Sequence, residues 1–440
     1  MEAYALALTY AIPIFLALIG IEAFISWRMG IKINRGADMI SSLGSGITNI
    51  VKDVLGLSIA IVSYGWLVNR VAIFHINNVW YVYIIAFVAK DFAGYWIHRL
   101  EHTINFMWNR HIIHHSSEEY NLSCALRQSI SEVFSFVSLF LLPAALLGVP
   151  TEVIAVIAPI QLFAQFWYHT RLIHKMGILE YIIVTPSHHR VHHAINPEYL
   201  DKNFSQIFIV WDKLFGTFQP ELEEVPAVYG VKRPVQTWNP FLINFKHIWL
   251  IITDAWHAAS WKDKLKIWFM PTGWRPEDVK MKHPIQIVED VFRMPKYDTF
   301  VSQRLIMFSW IQLIILLAFT MYLFMNFAAI GFPGVLIYGL FLMVSVFSIT
   351  SLLDKASYAF IAELIRFVFV IGIIVSSGGD WFKLSEVFSF GPYLVGIFMF
   401  LTLMMVTYFH FRENSIVCFR CSLSLEEGMD IRLMAADMSL

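Results

Sequence analysis

Imidazole is the side chain this sequence concentrates. Eleven of its sixteen histidines fall in two short stretches, His98, His102, His111, His114 and His115 in one, and His169, His174, His188, His189, His192 and His193 in the other. Three arrays run through them: His98-x3-His102, His111-x2-His114-His115 and His189-x2-His192-His193. A spacing of four puts two side chains on one helix face, and a spacing of three keeps another in the same sector. Packing has no use for so many titratable rings, so the spacing predicts metal binding, with His169 as a ninth ligand. A structural zinc site takes four ligands with cysteine common among them, and this set is too large and too rich in nitrogen for that. Imidazole suits iron, zinc or copper alike. Two facing triplets have ligands for two metals. A pair of irons beside a bilayer is suited to activating O2 against an unactivated C–H bond, an oxidation that side chains alone cannot carry out.

The elements that position these rings must belong to a membrane protein. The chain is 58% hydrophobic and 15% charged, with mean hydropathy +0.61, too apolar for an ordinary soluble domain. Apolar runs at about 3–25, 54–73, 79–97, 130–149, 153–168, 305–328, 334–350, 358–377 and 391–411 approach the roughly 20 residues that cross a bilayer as helix. The expected fold is therefore all-α: a multi-span helical bundle with a cytoplasmic, histidine-lined di-metal cap. Its expected divisions are N-terminal membrane helices (1–78), a histidine-box core with a membrane hairpin (79–218), a cytoplasmic or interfacial cap (219–304), C-terminal membrane helices (305–411) and a cytoplasmic tail (412–440). The first run lacks a basic leader and a small-residue cleavage site and reads as a retained helix.

Alternating the nine runs across the bilayer puts 26–53, 98–129, 169–304, 351–357 and 412–440 on one side. The segment 169–304 carries 17 Lys and Arg, whereas the connections on the other side hold Arg70 and Lys383. The positive-inside bias makes the large segment cytoplasmic and the N-terminus external. All three arrays then share the cytoplasmic face, which requires a hairpin through Gly148-Val149-Pro150-Thr151 to return His169 to their level.

Several polar neighbours are candidates for orienting the ligand rings. Asp91 lies seven residues before His98 on the same helix face and could accept a ligand's second N–H. Glu180 and Asp212 are carboxylates near the third array, Asp212 being as well placed to cap a turn. His174 and His188 are candidates for the same outer role, His189 having the better ligand spacing. Asn121, Arg127 and Gln128 could contact a headgroup or a cofactor, or cap and pack. Trp238, Trp249, Trp256, Trp261, Trp268 and Trp274, among scattered lysines, suit the headgroup zone. The basic residues form no stripe that would suit a nucleic acid. His75, His247, His257, His283 and His410 fit no array, and Cys418-Phe419-Arg420-Cys421 reads as incidental. Glu363 and Arg366 are spaced to pair on one helix face, and Ser376-Ser377-Gly378-Gly379 reads as a turn.

The strings Asp91…Tyr95-Trp96-Ile97-His98-Arg99-x2-His102, Trp108…His111-Ile112-Ile113-His114-His115, His189-x2-His192-His193 and Trp211-Asp212-Lys213-Leu214-Phe215-Gly216-Thr217-Phe218 resemble the fatty acid hydroxylase and sterol desaturase superfamily. Finer strings resemble its alkylglycerol monooxygenase branch: His114 to Ser123, Leu126-Arg127-Gln128-Ser129, Phe166-Trp167-Tyr168-His169-Thr170 and Thr185 to His193. The likeness runs from about residue 1 to 285. It implies a di-iron, O2-dependent lipid monooxygenase with two Fe held by His98, His102, His111, His114, His115, His169, His189, His192 and His193. In that branch tetrahydrobiopterin is the implied electron donor. The implied reaction hydroxylates the ether-bearing carbon of an alkylglycerol, whose hemiacetal falls apart to a fatty aldehyde. One position departs: Thr103 follows His102 where the branch places a glutamate, so Glu101 or Glu118 would have to serve. A sterol or fatty-acid hydroxylase or desaturase of the same superfamily is the alternative enzyme. A metal transporter would want ligands near the bilayer midplane, not at a membrane end, and a zinc peptidase would need the absent His-Glu-x-x-His.

Overall fold

A computed structural model describes residues 2–57, 59–60, 62–74, 76, 79–132, 134–135 and 137–427. His75 lies outside the described residues, and the side chains of Cys418 and Cys421 lie outside the described side chains. Two compact units divide the chain, Met1–Tyr297 and Asp298–Leu440. Both are helical; the described strands are two-residue pieces, β1 (Ile59–Ala60) and β2 (Phe134–Ser135), paired in parallel.

The first unit opens with α1 (Glu2–Arg28), α2 (Gly36–Val54) and α3 (Tyr64–Val71). Next come α4 (Trp80–Thr103) and α5 (Asn105–His115), separated by Ile104 alone in an extended conformation. Short helices α6 (Val137–Phe140) and α7 (Leu142–Leu146) lead to α8 (Thr151–Ala164). Then follow α9 (Pro186–His193), α10 (Val210–Phe215), α11 (Pro240–His257), α12 (Trp261–Lys266) and α13 (Glu277–Lys282). An apolar core of Leu67, Val82, Ala86, Ala93, Ala144, Val153 and Ile157 locks α3, α7 and α8 against α4. Small residues at Ala86, Ala93, Ala144 and Ala145 let these helices approach closely.

Among the described residues, five helices are long and apolar enough to cross a membrane: residues Ala5–Arg28 of α1 and, in the second unit, α14 (Gln303–Met325), α16 (Gly334–Leu353), α17 (Ala359–Ser376) and residues Gly391–Glu413 of α19 (Gly391–Glu427). The short α15 (Phe327–Ile330) and α18 (Leu384–Val387) sit in the connections. In this unit Glu363 and Arg366 pair at 2.7 Å while fully buried, with Ser348 donating to Glu363 and Arg366 donating to Gln312. Gly378 and Gly379 take positive φ at the turn after α17.

The other four runs differ from expectation. Run 54–73 is interrupted after α2 by Gly56 at positive φ, leaving the eight-residue α3. Run 130–149 is divided into α6 and α7. The 14 residues of α8 rise only about 21 Å against a hydrocarbon core of about 30 Å. From the turn at Gly148, α8 leads back to His169. Run 79–97 is part of α4, which carries Lys90, Asp91, Arg99 and Glu101. Beyond residue 411, α19 continues to Glu427.

Candidate metal centre

Three helices bring eight of the nine rings together. α4 presents His98 and His102 from its last turns, α5 presents His111, His114 and His115, and α9 presents His189, His192 and His193. Pro186 at the first position of α9, with Thr185 before it, starts that helix sharply. His169 arrives from the turn that ends α8. The nine nitrogen sets form two groups, His98, His102, His111, His115 and His192 in one, and His114, His169, His189 and His193 in the other, with ligand atoms inside each group lying within 4.8 Å of one another. Each triplet is divided between the groups. Residues four apart (His111 with His115, His189 with His193) stay together, and the third ring of each triplet, adjacent in sequence and rotated by about 100°, joins the other group. The groups abut: the His115 and His193 rings stack at 4.3 Å.

The donor geometry fits metal ions. Two nitrogens bound side by side at about 2.1 Å lie about 3 Å apart. In the first group Nε2 of His111 stands 2.9 Å from that of His98 and 3.0 Å from that of His115, with His102 and His115 at 3.2 Å. In the second, the Nε2 atoms of His169 and His189 are 2.9 Å apart, those of His189 and His193 3.0 Å, and those of His114 and His169 3.3 Å. The buried Nε2 of His192 has no hydrogen-bond partner. Such convergence of nitrogens, one of them orphaned, is what a ligand set requires and what unassisted packing avoids.

Six of the nine opposite ring nitrogens are held by the protein, while the buried Nδ1 of His189 has no hydrogen-bond partner among the described residues. Nδ1 of His98 faces the Phe204 carbonyl at 2.7 Å, His192 the Lys202 carbonyl at 3.0 Å, His169 the Gln165 carbonyl at 3.0 Å and His114 the Arg127 carbonyl at 3.3 Å. Nδ1 of His102 faces Asp201 at 3.5 Å and that of His111 faces Glu101 at 3.4 Å. These contacts select the tautomer that leaves Nε2 bare toward the centre. Burial depresses the pKa of all nine rings, His98 to about 3 and His169 to about 4. The rings are therefore neutral and available as ligands near pH 7. Glu101, pushed up to about 7 by burial, is bound by Arg110 at 2.7 Å, which also pairs with Glu132 at 2.8 Å.

The candidates for outer roles separate. Asp91 touches no imidazole: its carboxylate accepts from the backbone of Ile207 and Phe208 and from the Trp211 indole. A buried carboxylate level with this loop is satisfied by the loop's amides before any ring can reach it. Asp212 likewise accepts from the backbone of Phe204 and Ser205 at 2.8 Å and from Thr217 at 2.6 Å, so both aspartates act on the loop whose Phe204 carbonyl holds His98. Asn121 caps the 3-10 turn Leu122–Leu126 and donates to Ile33, which occupies it fully. His174 is exposed and outside both groups. His188 points away from the centre, next to Thr185 and 3.8 Å from Glu180. Arg127 is buried in a pair with Asp38 at 2.6 Å and also binds Ser42 and Ser116, which makes it structural, whereas Gln128 donates to Ala125 and lines the larger cavity. Of the two stand-ins for the missing glutamate, Glu101 reaches a ligand ring, whereas Glu118 accepts from the Tyr297 backbone.

Other residues in the frame of the centre had no signal in the sequence. Glu22 of α1 accepts from Leu122 N at 2.7 Å and Thr170 Oγ1 at 2.6 Å, tying the first helix to the segments that follow His115 and His169. Arg190 binds Glu221 through two nitrogens and donates to the Thr170 and Ile173 carbonyls, clamping α9. Asp201 and Asn203 adopt positive φ, turning the chain so that the Lys202 carbonyl faces His192.

Two cavities meet the centre and share no lining residue. One, of about 470 Å³, is walled by Leu8, Ile12 and Phe15 of α1 and by Leu162, Phe163 and Phe166 at the end of α8, and reaches His98, His111, His114, His169 and His189. The other, of about 280 Å³, lies under the 230–287 segment and reaches His102, His115, His192 and His193, with Trp108, Trp274, Lys232 and Arg233 around it.

Comparison with known proteins bears on this geometry. A fatty acid hydroxylase family model matches residues 83–217, which contain all nine rings. The chain is 36% identical to an alkylglycerol monooxygenase of Homo sapiens over 359 residues, covering 81% of this chain and 80% of the relative. A Xenopus tropicalis alkylglycerol monooxygenase is 34% identical, with 80% of this chain and 78% of the relative covered. An ornithine lipid hydroxylase of Rhizobium tropici is 29% identical over 31% of this chain and 41% of the relative. No solved structure matches.

Proposed function

The chain belongs to the alkylglycerol monooxygenase family, and is thus an oxygen-dependent membrane lipid monooxygenase; from that premise we propose that it cleaves the ether bond of alkylglycerols at a di-iron centre held by the nine histidines. The observation that carries this reading is the convergence of two imidazole groups at ligand spacing, reached by an apolar cavity that begins at a membrane helix. Five rings would hold one iron and four the other. Bound there, the irons would supply the O2-derived oxidant that side chains lack.

The chain's own residues supply position and dryness. Leu8, Ile12, Phe15, Leu162, Phe163 and Phe166 form an apolar channel for an alkyl chain entering from lipid, so that the ether-bearing carbon stops at the imidazole wall. Their side chains exclude water from the reacting carbon. Replacing one C–H by C–OH with O2 consumes two electrons and two protons and releases water. The hydroxylated carbon is then a hemiacetal, which loses the glycerol oxygen to give the aldehyde. The electron donor enters by the other cavity, whose Lys232 and Arg233 bring positive charge and whose Trp108 and Trp274 offer flat faces. A reduced pterin is the donor that the family relation favours.

The membrane arrangement supports a cytosolic centre. Residues 169–304 carry 17 Lys and Arg, whereas the connections 326–333 and 377–390 hold Lys383 as their one basic residue, a bias that favours the cytosolic side for the histidine segment.

Membranes containing the protein, supplied with an alkylglycerol, O2 and tetrahydrobiopterin, are expected to yield fatty aldehyde, and His114→Ala and His192→Ala to abolish it. Activity indifferent to both substitutions would refute the metal assignment. Hydroxylated sterol or acyl chain in place of aldehyde would move the enzyme to another branch of the superfamily.

A further inference from the structure

α11 has two faces of opposite use. Ile243, His247, Ile251 and Asp254 face inward, the last three lining the smaller cavity at the centre. On the other face Leu242, Phe245, Trp249, Ile252 and Trp256 recur at spacings of three and four, and all five are exposed, Trp249 at 65% and Trp256 at 81%. The stripe continues on α12 and just after it with Trp261, Leu265 and Phe269, exposed at 78%, 69% and 73%. A water-facing surface does not carry eight large apolar side chains on two successive helices.

We propose that α11 and α12 lie in the plane of the bilayer, with this stripe sunk into the headgroup and acyl boundary of the membrane that the chain's own helices cross. Three observations select lipid over a protein partner. The tryptophans sit where amphipathic rings favour the interface. Lys262 and Lys266 flank the stripe and complement anionic headgroups, while Lys264 donates to the Ala255 and Trp256 carbonyls and stands 5.5 Å over the Trp261 ring, joining α12 to the end of α11. The stripe also belongs to the same compact unit as the span in α1, which keeps a bilayer at hand. α11 itself is not among the helices apolar enough to cross, because its inward face carries Asn244, His247 and Asp254. The in-plane placement follows from that division. One helix then separates headgroups from the cavity beside the metal ligands, so the depth of α11 sets how that cavity meets the interface. The proposal stands whatever lipid the enzyme oxidises.

The test uses the full chain in nanodiscs of mixed phosphatidylcholine and phosphatidylglycerol, with Cys418 and Cys421 replaced by serine and the buried Cys124 retained. Spin labels are placed through Trp249→Cys, Trp256→Cys and, as a control on the exposed polar helix α13, Glu277→Cys, with metal content verifying the fold of each. Collision with lipid-soluble O2 relative to a water-soluble nickel chelate is expected to be severalfold higher at 249 and 256 than at 277. An equal ratio at all three positions would overturn the proposal, and low collision with both reagents at 249 and 256 would overturn it in favour of a covering protein.

Discussion

Asp212→Asn tests how a residue that touches no ligand holds one. Asp212 is fully buried and accepts three hydrogen bonds of 2.6–2.8 Å, from Phe204 N, Ser205 N and Thr217 Oγ1. The amide keeps one acceptor oxygen and turns an NH2 toward a backbone N–H. One charge-assisted bond is lost, about 2 kcal/mol, and those that remain weaken to neutral strength, for a local cost of roughly 3–4 kcal/mol. The Phe204 carbonyl that shifts is the one 2.7 Å from Nδ1 of His98. Loss of such an outer contact typically weakens a metal site by about 10–100-fold, or about 1.4–2.7 kcal/mol. The four-ring group hangs on other carbonyls, those of Gln165 and Arg127. Chelator titration of purified Asp212→Asn, followed by elemental analysis, should therefore show one metal leaving about 10–100-fold more readily and the other near its wild-type affinity. Two metals leaving together, or both retained as in the wild type with full activity, would refute the reasoning.

Two further outcomes follow from the same contacts. Glu101→Gln keeps an acceptor near Nδ1 of His111 but removes the charge, and Arg110 retains Glu132; turnover should fall about tenfold with an unchanged thermal midpoint, and an unaffected rate would show that Glu101 does not replace the family glutamate. Acid should strip and unfold the catalytic unit. His98 and His169 titrate in the fold at about 3 and about 4 but near 6.5 in the unfolded chain, so below pH 6.5 the unfolded state gains protons that the native state refuses. Each ring's own contribution to stability is flat above pH 6.5 and falls toward pH 4, by on the order of 2 kcal/mol at pH 5, opposed in part by Glu101, whose raised pKa acts in the other sense, while protons compete with metal for the same nitrogens. Metal retention measured from pH 7.5 to 4.5 should drop through this window, and a flat profile would contradict the burial argument.

The arrays were legible in the sequence because ligand spacing on a helix is a local property: α4, α5 and α9 carry their histidines where the spacings require. How each triplet is shared was not legible, since His114 and His192 choose their group by which helix faces them. Apolar length alone did not mark where four of the runs break into shorter or more charged helices. Gly56 and Pro143 interrupt runs whose hydropathy alone reads as continuous, and the resulting short helices pack on α4. Asp91 drew attention by its place on the face of His98, yet the Ile207 and Phe208 amides, more than a hundred residues on, claim it. Glu22 acts through a contact 100 residues away, Arg190 through one 31 away and the positive-φ turn around Lys202 through one 10 away, none of which a helical or strand spacing would reveal.

The central claim is a two-iron centre built from nine imidazoles. Anomalous diffraction at the iron edge from iron-loaded protein crystals tests it most directly. The account predicts two iron peaks per chain, one among His98, His102, His111, His115 and His192 and one among His114, His169, His189 and His193. A single peak, or iron held away from these rings, would contradict it.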